Sequence, residues 1–381
     1  MKNIVVKSFF IFIGVLVVIL SGFCSSFECY ANSQNFAKAA CVLEGNSGKV
    51  LYEYNKDQKL PMASTTKIAT LIVAIENYEN LENKFVVSDA AVGIEGTSIY
   101  LDYGEEIRFY DVLVGLMLAS GNDCAVAIAE EVCGTEDFVI KMNDLAKKVG
   151  AENTNFVNVH GLDAEGHYTT ACDLAKITAY GLKNEKFREI CSIKNAIIEP
   201  TNKRDTRYLK HKNKLLFTEE NCIGVKTGFT DNAGRCLVNA HKENDMELIT
   251  VVLNCGPMFE VAQNLTDKVL NEYTMQEFVA PYAFVGEIFV ENGDKNKISV
   301  VTVEGFKIPV LKTEMDKYRV EYNIPETITA PVEINNVIGN VKVYFDEQEI
   351  FSQDLFAIDE SKNIDIRYLL ENIINDWYYS N

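Results

Sequence analysis

The sequence predicts an α+β protein with two domains. The larger is expected to be an antiparallel sheet flanked by helices with a helical insertion, and the smaller a C-terminal β-sandwich-like domain. Strand-like segments open and close the region before residue 281, while helical periodicity fills its middle. After Pro281 the segments are short, rich in Val, Ile, Tyr and Phe, and separated by polar turns. A chain of 381 residues is long enough for both domains.

The first segment has the layout of a secretory signal. Lys2 and Lys7 precede an apolar run that ends at Phe23, and small residues follow up to Ala31. The apolar run of about 15 residues is shorter than the roughly 20 that span a bilayer. We therefore expect residues 1–31 to be removed on export, with an uncleaved anchor as the alternative.

A hairpin opens the larger domain, residues 32–280, and residues 46–48 are its turn. Apolar residues at helical spacing predict a buried helix from Ser64, and “FYDVLVGLMLAS” and “NDCAVAIAEEVCG” predict two more, the second closed by Gly134.

Capping residues predict the next two helices. Thr135 is the expected N-cap and Gly150 the C-cap of one, and the T-x-x-D box of Thr170 and Asp173 begins another that ends near Leu182. Three strands follow, in “CIGVKTGF”, “RCLVNAHK” and “MELITVVLN”, and a last helix is expected in “GPMFEVAQNLTDKVLNEYTM”.

The smaller domain, residues 281–357, contains five predicted strands and no catalytic cluster, so a spacer or docking role is expected. Residues 358–381 form an amphipathic tail. Such a tail either lies on a membrane surface, with Trp377, Tyr378 and Tyr379 at the headgroups, or packs against the protein. Its slightly acidic character weakens attraction to anionic lipid. Its apolar residues share one helical stripe: Ile366, Leu369, Leu370, Ile373, Ile374 and Trp377.

Composition and charge exclude two classes of protein. A hydrophobic fraction of 48% and a charged fraction of 24% are ordinary for a globular chain, so disorder over most of its length is not expected. A net charge of −19 argues against a nucleic-acid partner, because phosphates would be repelled. The cysteines after residue 31 are scattered, without a C-x-x-C pair. We expect buried free thiols rather than disulfides.

The stretch “PMASTTKIAT” places Ser64 and Lys67 on one helical face, with the serine at the helix N-terminus. There the free N–H groups and the helix dipole favour developing negative charge. A lysine whose pKa is lowered by burial and a second cation can remove the serine proton. An N-cap serine beside a surface lysine has the same spacing, so this motif alone is weak.

Two further motifs strengthen the interpretation. “SGN” places Ser120 and Asn122 at the junction of two helical runs. On a predicted strand, Lys226 offers a second cation, Thr227 a hydroxyl, and Gly228 room for a substrate backbone. Each alone fits a helix cap or a strand end. In this order, the three motifs are those of β-lactamases and penicillin-binding proteins.

The chain resembles the D-alanyl-D-alanine carboxypeptidases among the low-molecular-mass penicillin-binding proteins. Four further stretches look characteristic of that family, in its order: “GKVLYEYNKDQKLPMASTTKIAT”, “GTSIYLDYGEEIRFYDVLVGLMLASGNDCA”, “HGLDAEGHYTTACDLAKI” and “GVKTGFTDNAGRCLV”. The resemblance covers about residues 35–355 and implies a β-lactamase/transpeptidase-like larger domain. The departures are Cys124 where alanine is usual, Cys222 before K-T-G, and an acidic tail where the family has a membrane anchor.

The resemblance implies a serine-type carboxypeptidase that cleaves the bond between two D-alanines of peptidoglycan stem peptides. Ser64 would form the acyl-enzyme, Lys67 would act as its base, and Ser120 would relay a proton to the leaving D-alanine. β-Lactams would be trapped on Ser64, and no cofactor or metal is implied. With the export signal, this places the enzyme at the extracellular face of the membrane or in the cell wall.

The same resemblance implies a substrate-binding set. Lys226 would attract the terminal carboxylate, helped by Thr227, and the N–H groups of Ser64 and Phe229 would form the oxyanion hole. The side-chain amide of Asn122 would hold both Lys67 and the substrate amide. The full set is Asn122, Lys226, Thr227, Gly228 and Phe229.

Four alternatives are open. A D,D-endopeptidase would differ in cleft shape, and a non-catalytic wall-binding scaffold would not need the intact motifs. A class A β-lactamase needs a deacylating glutamate, and neither Glu152 nor Glu165 lies in its E-x-x-x-N setting. A zinc peptidase is not expected, because “HGLDAEGH” lacks the helical H-E-x-x-H motif although it holds His160, Asp163, Glu165 and His167.

Overall fold

The computed structural model describes residues 37–379 and, within the last helix, the side chains of 366–370 and 372–374. The predicted signal peptide, residues 1–31, lies outside the described residues, as do the side chain of Trp377 and those of the two tyrosines after it. In the described part, no helix is long and apolar enough to cross a membrane.

Seventeen strands are present in the described chain. In order they are β1 Ala37–Glu44, β2 Val50–Tyr54, β3 Lys84–Val86, β4 Glu106–Arg108, β5 Asn195–Ile198, β6 Arg207–Lys210, β7 Cys222–Thr230, β8 Gly234–Glu243 and β9 Met246–Cys255. The C-terminal region adds β10 Tyr273–Val279, β11 Phe284–Glu291, β12 Lys297–Val301, β13 Phe306–Leu311, β14 Tyr318–Asn323, β15 Thr327–Thr329, β16 Val337–Phe345 and β17 Gln348–Ala357.

The α-helices lie mostly between the second and seventh strands. They are α1 Lys67–Asn77, α2 Phe109–Leu118, α3 Asn122–Val132, α4 Thr135–Lys148, α5 Ala171–Leu182, α6 Glu185–Ser192, α7 Leu215–Thr218, α8 Met258–Glu272 and α9 Ile366–Tyr379. A single 3₁₀ turn, Ala63–Thr66, runs directly into α1.

A five-stranded antiparallel sheet organises the larger domain, in the order β2-β1-β9-β8-β7. Side chains alternate between the faces of a strand. In β9, Ile249 and Val251 therefore join the core under the helical insertion, whereas Leu248 and Val252 pack with α8 on the other face. Because both faces are covered, β9 is buried along almost its whole length. The predicted sheet with helices and a helical insertion is confirmed.

Helix α1 lies in the centre of the insertion. Every residue from Lys67 to Ala74 is buried, so the lysine enters the core together with the apolar residues around it. Burying an ammonium without a counter-charge is costly, which marks this residue as functional rather than structural.

The smaller region forms a six-stranded sheet, β14-β16-β17-β12-β11-β15, and a two-stranded sheet of β10 and β13. Val300, Val341 and Leu355 are fully buried in its own hydrophobic core. A turn of the larger domain touches it, because Lys49 Nζ donates to the Pro309 carbonyl at 3.0 Å.

Two local predictions were wrong, and several short strands were missed. The helix expected to reach Met275 ends at Glu272, because Tyr273 begins a strand that pairs with β13. Thr135 is the first residue of α4 rather than its cap, a position held by Gly134 with φ of 86°. The short hairpins β3–β4 and β5–β6, together with β13 and β15, were not anticipated, since strands of three to six residues carry little periodicity.

The Thr170 cap is confirmed, since its side chain accepts from the Asp173 N–H. The Asp173 carboxylate does not return to the cap and instead accepts from the Asn153 N–H at 2.7 Å. The described cysteines are all free thiols, and only Cys133 among them is not buried.

Candidate active site

The turn that carries Ser64 is held between two glycines. A Cβ on Gly161 would lie 1.9 Å from the Ala63 carbonyl oxygen, and a Cβ on Gly228 would lie 3.0 Å from the Ser64 nitrogen. Ala63 itself has a φ of 49°, in the left-handed region that an alanine rarely adopts. Close backbone packing on both sides therefore fixes the half-buried Ser64 in the 3₁₀ turn that precedes α1.

Lys67 has no exposed surface, and its amine has three polar neighbours. Its Nζ lies 3.0 Å from Ser64 Oγ, 2.6 Å from Asn122 Oδ1 and 2.6 Å from the His160 carbonyl oxygen. Burial lowers the pKa of Lys67 to about 7, and the nearby ammonium of Lys212 also lowers it. A substantial fraction of this amine is therefore neutral at neutral pH.

The neighbours of the Lys67 amine also decide how its hydrogens are arranged. Asn122 Oδ1 and the His160 carbonyl oxygen can only accept hydrogen bonds, whereas the Ser64 hydroxyl can donate. A neutral amine has two hydrogens and one lone pair. Giving both hydrogens to the obligate acceptors directs the lone pair at Ser64 Oγ, which is the geometry required of a base.

The second motif lies at the sharp connection between α2 and α3. Ser120 has a φ of 65°, and its carbonyl accepts from Thr97 Oγ1 at 2.5 Å. Asn122 Nδ2 donates to the Glu95 carbonyl at 2.6 Å, so one of its two amide hydrogens is already used. These bonds hold the segment around Gly96 against the start of α3, where it forms one wall of the site.

The third motif lies on β7, the edge strand of the sheet. Thr227, Gly228 and Phe229 line the cleft, and Phe229 is 62% exposed. Lys226 lies behind this lining, almost fully buried, and its Nζ donates to the Thr227 carbonyl at 2.9 Å. Burial holds the pKa of Lys226 well below its usual value, and the ammonium of Lys67 lowers it further.

One cleft of about 380 Å³ brings the three motifs together. No aspartate or glutamate is among the described residues that line it. Three cations on its rim were not anticipated from the sequence: Lys212, Lys214 and Arg235. The lysines of “LKHKNKLL”, which alternate with other residue types along the chain, were the signal for the first two.

The four polar residues of “HGLDAEGH” do not converge on a metal position. His167 Nε2 lies 2.8 Å from Thr66 Oγ1, and its Nδ1 accepts from the Val157 N–H at 3.1 Å. Asp163 instead accepts from Thr230 Oγ1 at 2.9 Å. The segment therefore ties the Ser64 turn to β7. Within residues 37–379, no group of three or more His, Cys, Asp or Glu side chains is arranged to hold a metal.

Comparison with known protein families gives two matches. Residues 28–256 match the family described as D-alanyl-D-alanine carboxypeptidase. Residues 273–363 match the family described as the penicillin-binding protein 5 C-terminal domain. The two matches follow each other along the chain, as the two regions of the fold do.

Individual relatives span nearly the whole chain. The D-alanyl-D-alanine carboxypeptidase DacF of Bacillus subtilis is 31% identical over 90% of this chain and 90% of its own length. The D-alanyl-D-alanine carboxypeptidase DacC of Escherichia coli is 30% identical over 85% of this chain and 84% of its own length.

Solved structures of related proteins have the same fold. Penicillin binding protein 5 from Haemophilus influenzae superposes with a TM-score of 0.71 at 27% identity, covering 86% of this chain and 98% of that one. A serine-to-alanine mutant of the Streptomyces K15 DD-transpeptidase covers 62% of this chain and 96% of its own, with a TM-score of 0.57 and 28% identity. The chain therefore belongs to the D-alanyl-D-alanine carboxypeptidase family of low-molecular-mass penicillin-binding proteins and is a serine peptidase.

Proposed function

We propose that this protein removes the terminal D-alanine from peptidoglycan stem peptides through an acyl-enzyme on Ser64. The observation that carries the proposal is the contact between Ser64 Oγ and the buried amine of Lys67. A serine hydroxyl becomes a nucleophile when an adjacent base takes its proton. A lysine with a pKa of about 7 is such a base at neutral pH.

Acylation begins when Ser64 Oγ attacks the carbonyl carbon of the bond between the two D-alanines. Lys67 Nζ takes the hydroxyl proton as the new C–O bond forms. The backbone N–H groups of Ser64 and Phe229 stabilise the resulting oxyanion, and such donors contribute about 2.7–4 kcal/mol each. The proximity of Gly228 to the Ser64 nitrogen supports this pairing of the two segments.

Collapse of the tetrahedral intermediate breaks the C–N bond. The proton on Lys67 passes through the hydroxyl of Ser120 to the departing amine, which leaves as free D-alanine. Lys67 is then neutral again and can remove a proton from the water that hydrolyses the ester. Because no described carboxylate lines the cleft, the same amine serves both steps, whereas class A β-lactamases use a glutamate for deacylation.

A free C-terminal carboxylate distinguishes this substrate. The hydroxyl of Thr227 binds it at the cleft surface, and Lys226 supplies positive charge directly behind. An anion at this position raises the pKa of Lys226 back towards its usual value, so substrate binding restores the charge that burial suppresses. Asn122 holds Lys67 through its oxygen and offers its remaining amide hydrogen to the substrate backbone.

β7 also supports binding of an extended peptide. It is an edge strand, so one side of its backbone is available to pair with a substrate strand. β-Lactams, whose ring mimics the D-Ala-D-Ala bond, enter the same cleft and acylate Ser64.

The domain division proposed is residues 32–280 for catalysis, 281–357 for the β domain and 358–381 for the tail, after a signal of residues 1–31. The two family matches support a division in this part of the chain. β10 precedes the proposed boundary, but it pairs with β13 and lies within the residues that match the C-terminal domain family, so this strand belongs structurally with the smaller region.

The test is D-alanine release from a soluble pentapeptide, followed by mass spectrometry. Wild-type protein is expected to remove one alanine, and the Ser64→Ala variant none. Cleavage of a cross-linked dimer with no pentapeptide turnover would identify an endopeptidase instead. Rapid penicillin turnover would identify a β-lactamase, and inactivity with every substrate would favour a scaffold.

The tail is proposed to lie on the outer surface of the cytoplasmic membrane after export. The described side chains of its apolar stripe are exposed, with Ile366 at 78% and Ile373 at 65%. A helix with one exposed apolar face can insert that face into the headgroup region. Vesicle co-sedimentation tests this: Ile373→Glu should abolish binding, and Asn372→Glu, off the stripe with the same charge change, should not. Equal binding by both variants would contradict the proposal.

A further inference from the structure

One wall of the cleft has no helix or strand to hold it in place. Residues 95–101, here called the wall segment, form neither kind of element, and Gly96 and Thr97 within it line the cleft. Tyr100 in the same segment has a φ of 61°, in the left-handed region that bulky residues rarely adopt. Contacts from outside the wall segment must therefore hold its shape.

The carboxylate of Asp123, which is almost fully buried, supplies these contacts. Its Oδ2 accepts from the Ser98 hydroxyl at 2.6 Å and from the Leu101 N–H at 3.0 Å. The Ile99 N–H lies 3.1 Å from Oδ2 and 3.2 Å from Oδ1. Oδ1 also accepts from the Cys124 N–H at 2.9 Å. Three of the four donors to this carboxylate therefore belong to the wall segment.

An acidic residue in the first turn of a helix has an ordinary explanation, because the helix dipole favours negative charge there. Asp123 lies in the first turn of α3, but only one of its donors, the Cys124 N–H, belongs to that helix. No cation among the described residues forms an ion pair with it. A buried carboxylate without a counter-charge is costly, so the N–H and O–H groups of the wall segment are what stabilise it.

The wall segment in turn holds the second motif. The Asn122 N–H donates to the Thr97 carbonyl at 2.6 Å, and Thr97 Oγ1 donates to the Ser120 carbonyl at 2.5 Å. The side-chain amide of Asn122 donates to the Glu95 carbonyl at 2.6 Å, and its oxygen lies 2.6 Å from Lys67 Nζ. A displaced wall segment would therefore move the amide that orients the base.

We propose that Asp123 is a positioning residue for acylation, which acts by fixing the wall segment and, through it, the amide of Asn122 beside Lys67. This inference rests on the proposed function. Neither Asp123 nor its partner Ser98 lines the cleft, so both act on the reaction only through the wall segment. The loss of the carboxylate should therefore slow the chemical step more than it weakens binding.

The Asp123→Asn variant keeps the shape of the side chain and removes one acceptor. Both oxygens of Asp123 face backbone N–H groups, so the amide nitrogen of the variant would meet a donor in either orientation. The rate constant for acylation by a fluorescent penicillin should fall about tenfold or more, since a misplacement of about 1 Å can cost roughly a hundredfold in rate. The dissociation constant of the non-covalent complex should change less, because Thr227 and Lys226 lie on β7 and keep their positions.

The pH of the measurement separates position from charge. Burial lowers the pKa of Lys67 to about 7, and the negative charge of Asp123 acts in the opposite direction. Asp123→Asn therefore lowers this pKa further, which increases the neutral fraction of Lys67 at pH 7 and would mask part of the loss. Cys124 and Lys212, which also act on this pKa, are unchanged in the variant. At about pH 9, two units above the pKa, about 99% of Lys67 is neutral in the wild type, so rates compared there report position alone.

Glu44→Gln is the matched control, because it makes the same chemical change at a buried carboxylate outside the cleft. Glu44 has no exposed surface, and one of its oxygens accepts from the N–H and the hydroxyl of Ser47, both at 2.7 Å. The other oxygen accepts from the Glu247 N–H at 3.2 Å. This variant should lower Tm as Asp123→Asn does, but its acylation rate constant should equal that of the wild type.

Ser98→Ala is the second variant, and it keeps the carboxylate in place. It removes the one side-chain donor from the wall segment to Asp123, so we expect a smaller loss in the same rate constant. If Asp123→Asn does not fold, this variant decides, and a wild-type rate constant in Ser98→Ala would then overturn the proposal.

The dependence of the acylation rate on penicillin concentration gives the rate constant and the dissociation constant separately. A folded Asp123→Asn protein with the same acylation rate constant as Glu44→Gln would overturn the proposal, as would a loss confined to the dissociation constant. In either case labelling of Ser64 in the wild type would leave the proposed function standing. If Ser64 is not labelled in the wild type, the proposed function itself is wrong.

Discussion

Asn122 Oδ1 lies 2.6 Å from Lys67 Nζ, and the nitrogen of the same amide donates to the Glu95 carbonyl. The amide therefore accepts a hydrogen from the lysine without contributing a negative charge. That neutrality matters, because a carboxylate at this distance would favour the ammonium form and remove the base.

The Asn122→Asp variant tests this relationship. The new carboxylate should raise the pKa of Lys67, so that acylation at neutral pH slows by about tenfold for each pKa unit. The rate of penicillin acylation as a function of pH is the measurement, and its acid limb should move to higher pH. The Glu95 carbonyl also loses its donor, so Tm should fall. An acid limb at the wild-type position would contradict the role given to Asn122.

The wild-type enzyme should show an acid limb centred at about pH 7. The base form of Lys67 is the neutral amine, so acylation rises as pH increases through its pKa and is lost as pH falls below it. Lys212 lowers that pKa, so Lys212→Gln should move the limb to higher pH. A limb that moves to lower pH in this variant would contradict the electrostatic account.

The sequence was sufficient to predict the meeting of three distant motifs, for a physical reason. Each motif lies at a position that can be recognised locally: Ser64 in the turn before a helix, Ser120 between two helical runs, and Lys226 within a strand. The long strands β7, β8 and β9 also carry enough apolar residues to be recognised.

Backbone groups account for most of what sequence reasoning missed. The His160 carbonyl accepts from Lys67, and Gly161 lies close to the backbone of Ala63. Both are backbone contacts, so the types of the residues do not reveal them. The lysines beside the cleft were visible as an alternating pattern. However, only the fold shows that Lys212 faces the cleft rather than open solvent.

Gly161 should not tolerate a side chain. Its Cβ would meet the Ala63 carbonyl at 1.9 Å, and its φ of 93° is unfavourable for alanine. Backbone cannot yield as a flexible side chain does, so Gly161→Ala should lower the free energy of unfolding by about 3 kcal/mol or more. It should also reduce acylation, since the Ser64 turn would be displaced.

Gly150→Ala is the matched control for this change. Gly150 also has a positive φ, of 69°, but no atom lies within 4 Å of the added carbon. Only backbone strain of about 1–2 kcal/mol is expected, with normal acylation. Chemical denaturation of both variants gives the comparison. Equal destabilisation would show that the contact with Ala63 is unimportant.

The buried ion pair of Arg207 and Glu105 should contribute to the stability of the fold. Arg207 donates to both carboxylate oxygens, at 2.7 and 2.8 Å, and Glu105 is fully buried. Arg207→Met would leave that charge unpaired, which costs about 3–5 kcal/mol. The exposed pair of Arg204 and Asp102 is the control, since Arg204→Met should cost less than about 1 kcal/mol. Similar Tm values for the two variants would contradict the difference.

The identity of the nucleophile is the central claim, and the site of β-lactam attachment measures it most directly. Wild-type protein should be incubated with penicillin, digested, and its peptides analysed by mass spectrometry. We expect one adduct, on Ser64, which is absent from Ser64→Ala and forms far more slowly in Lys67→Met. An adduct on another residue, or equal labelling of wild type and Ser64→Ala, would contradict it.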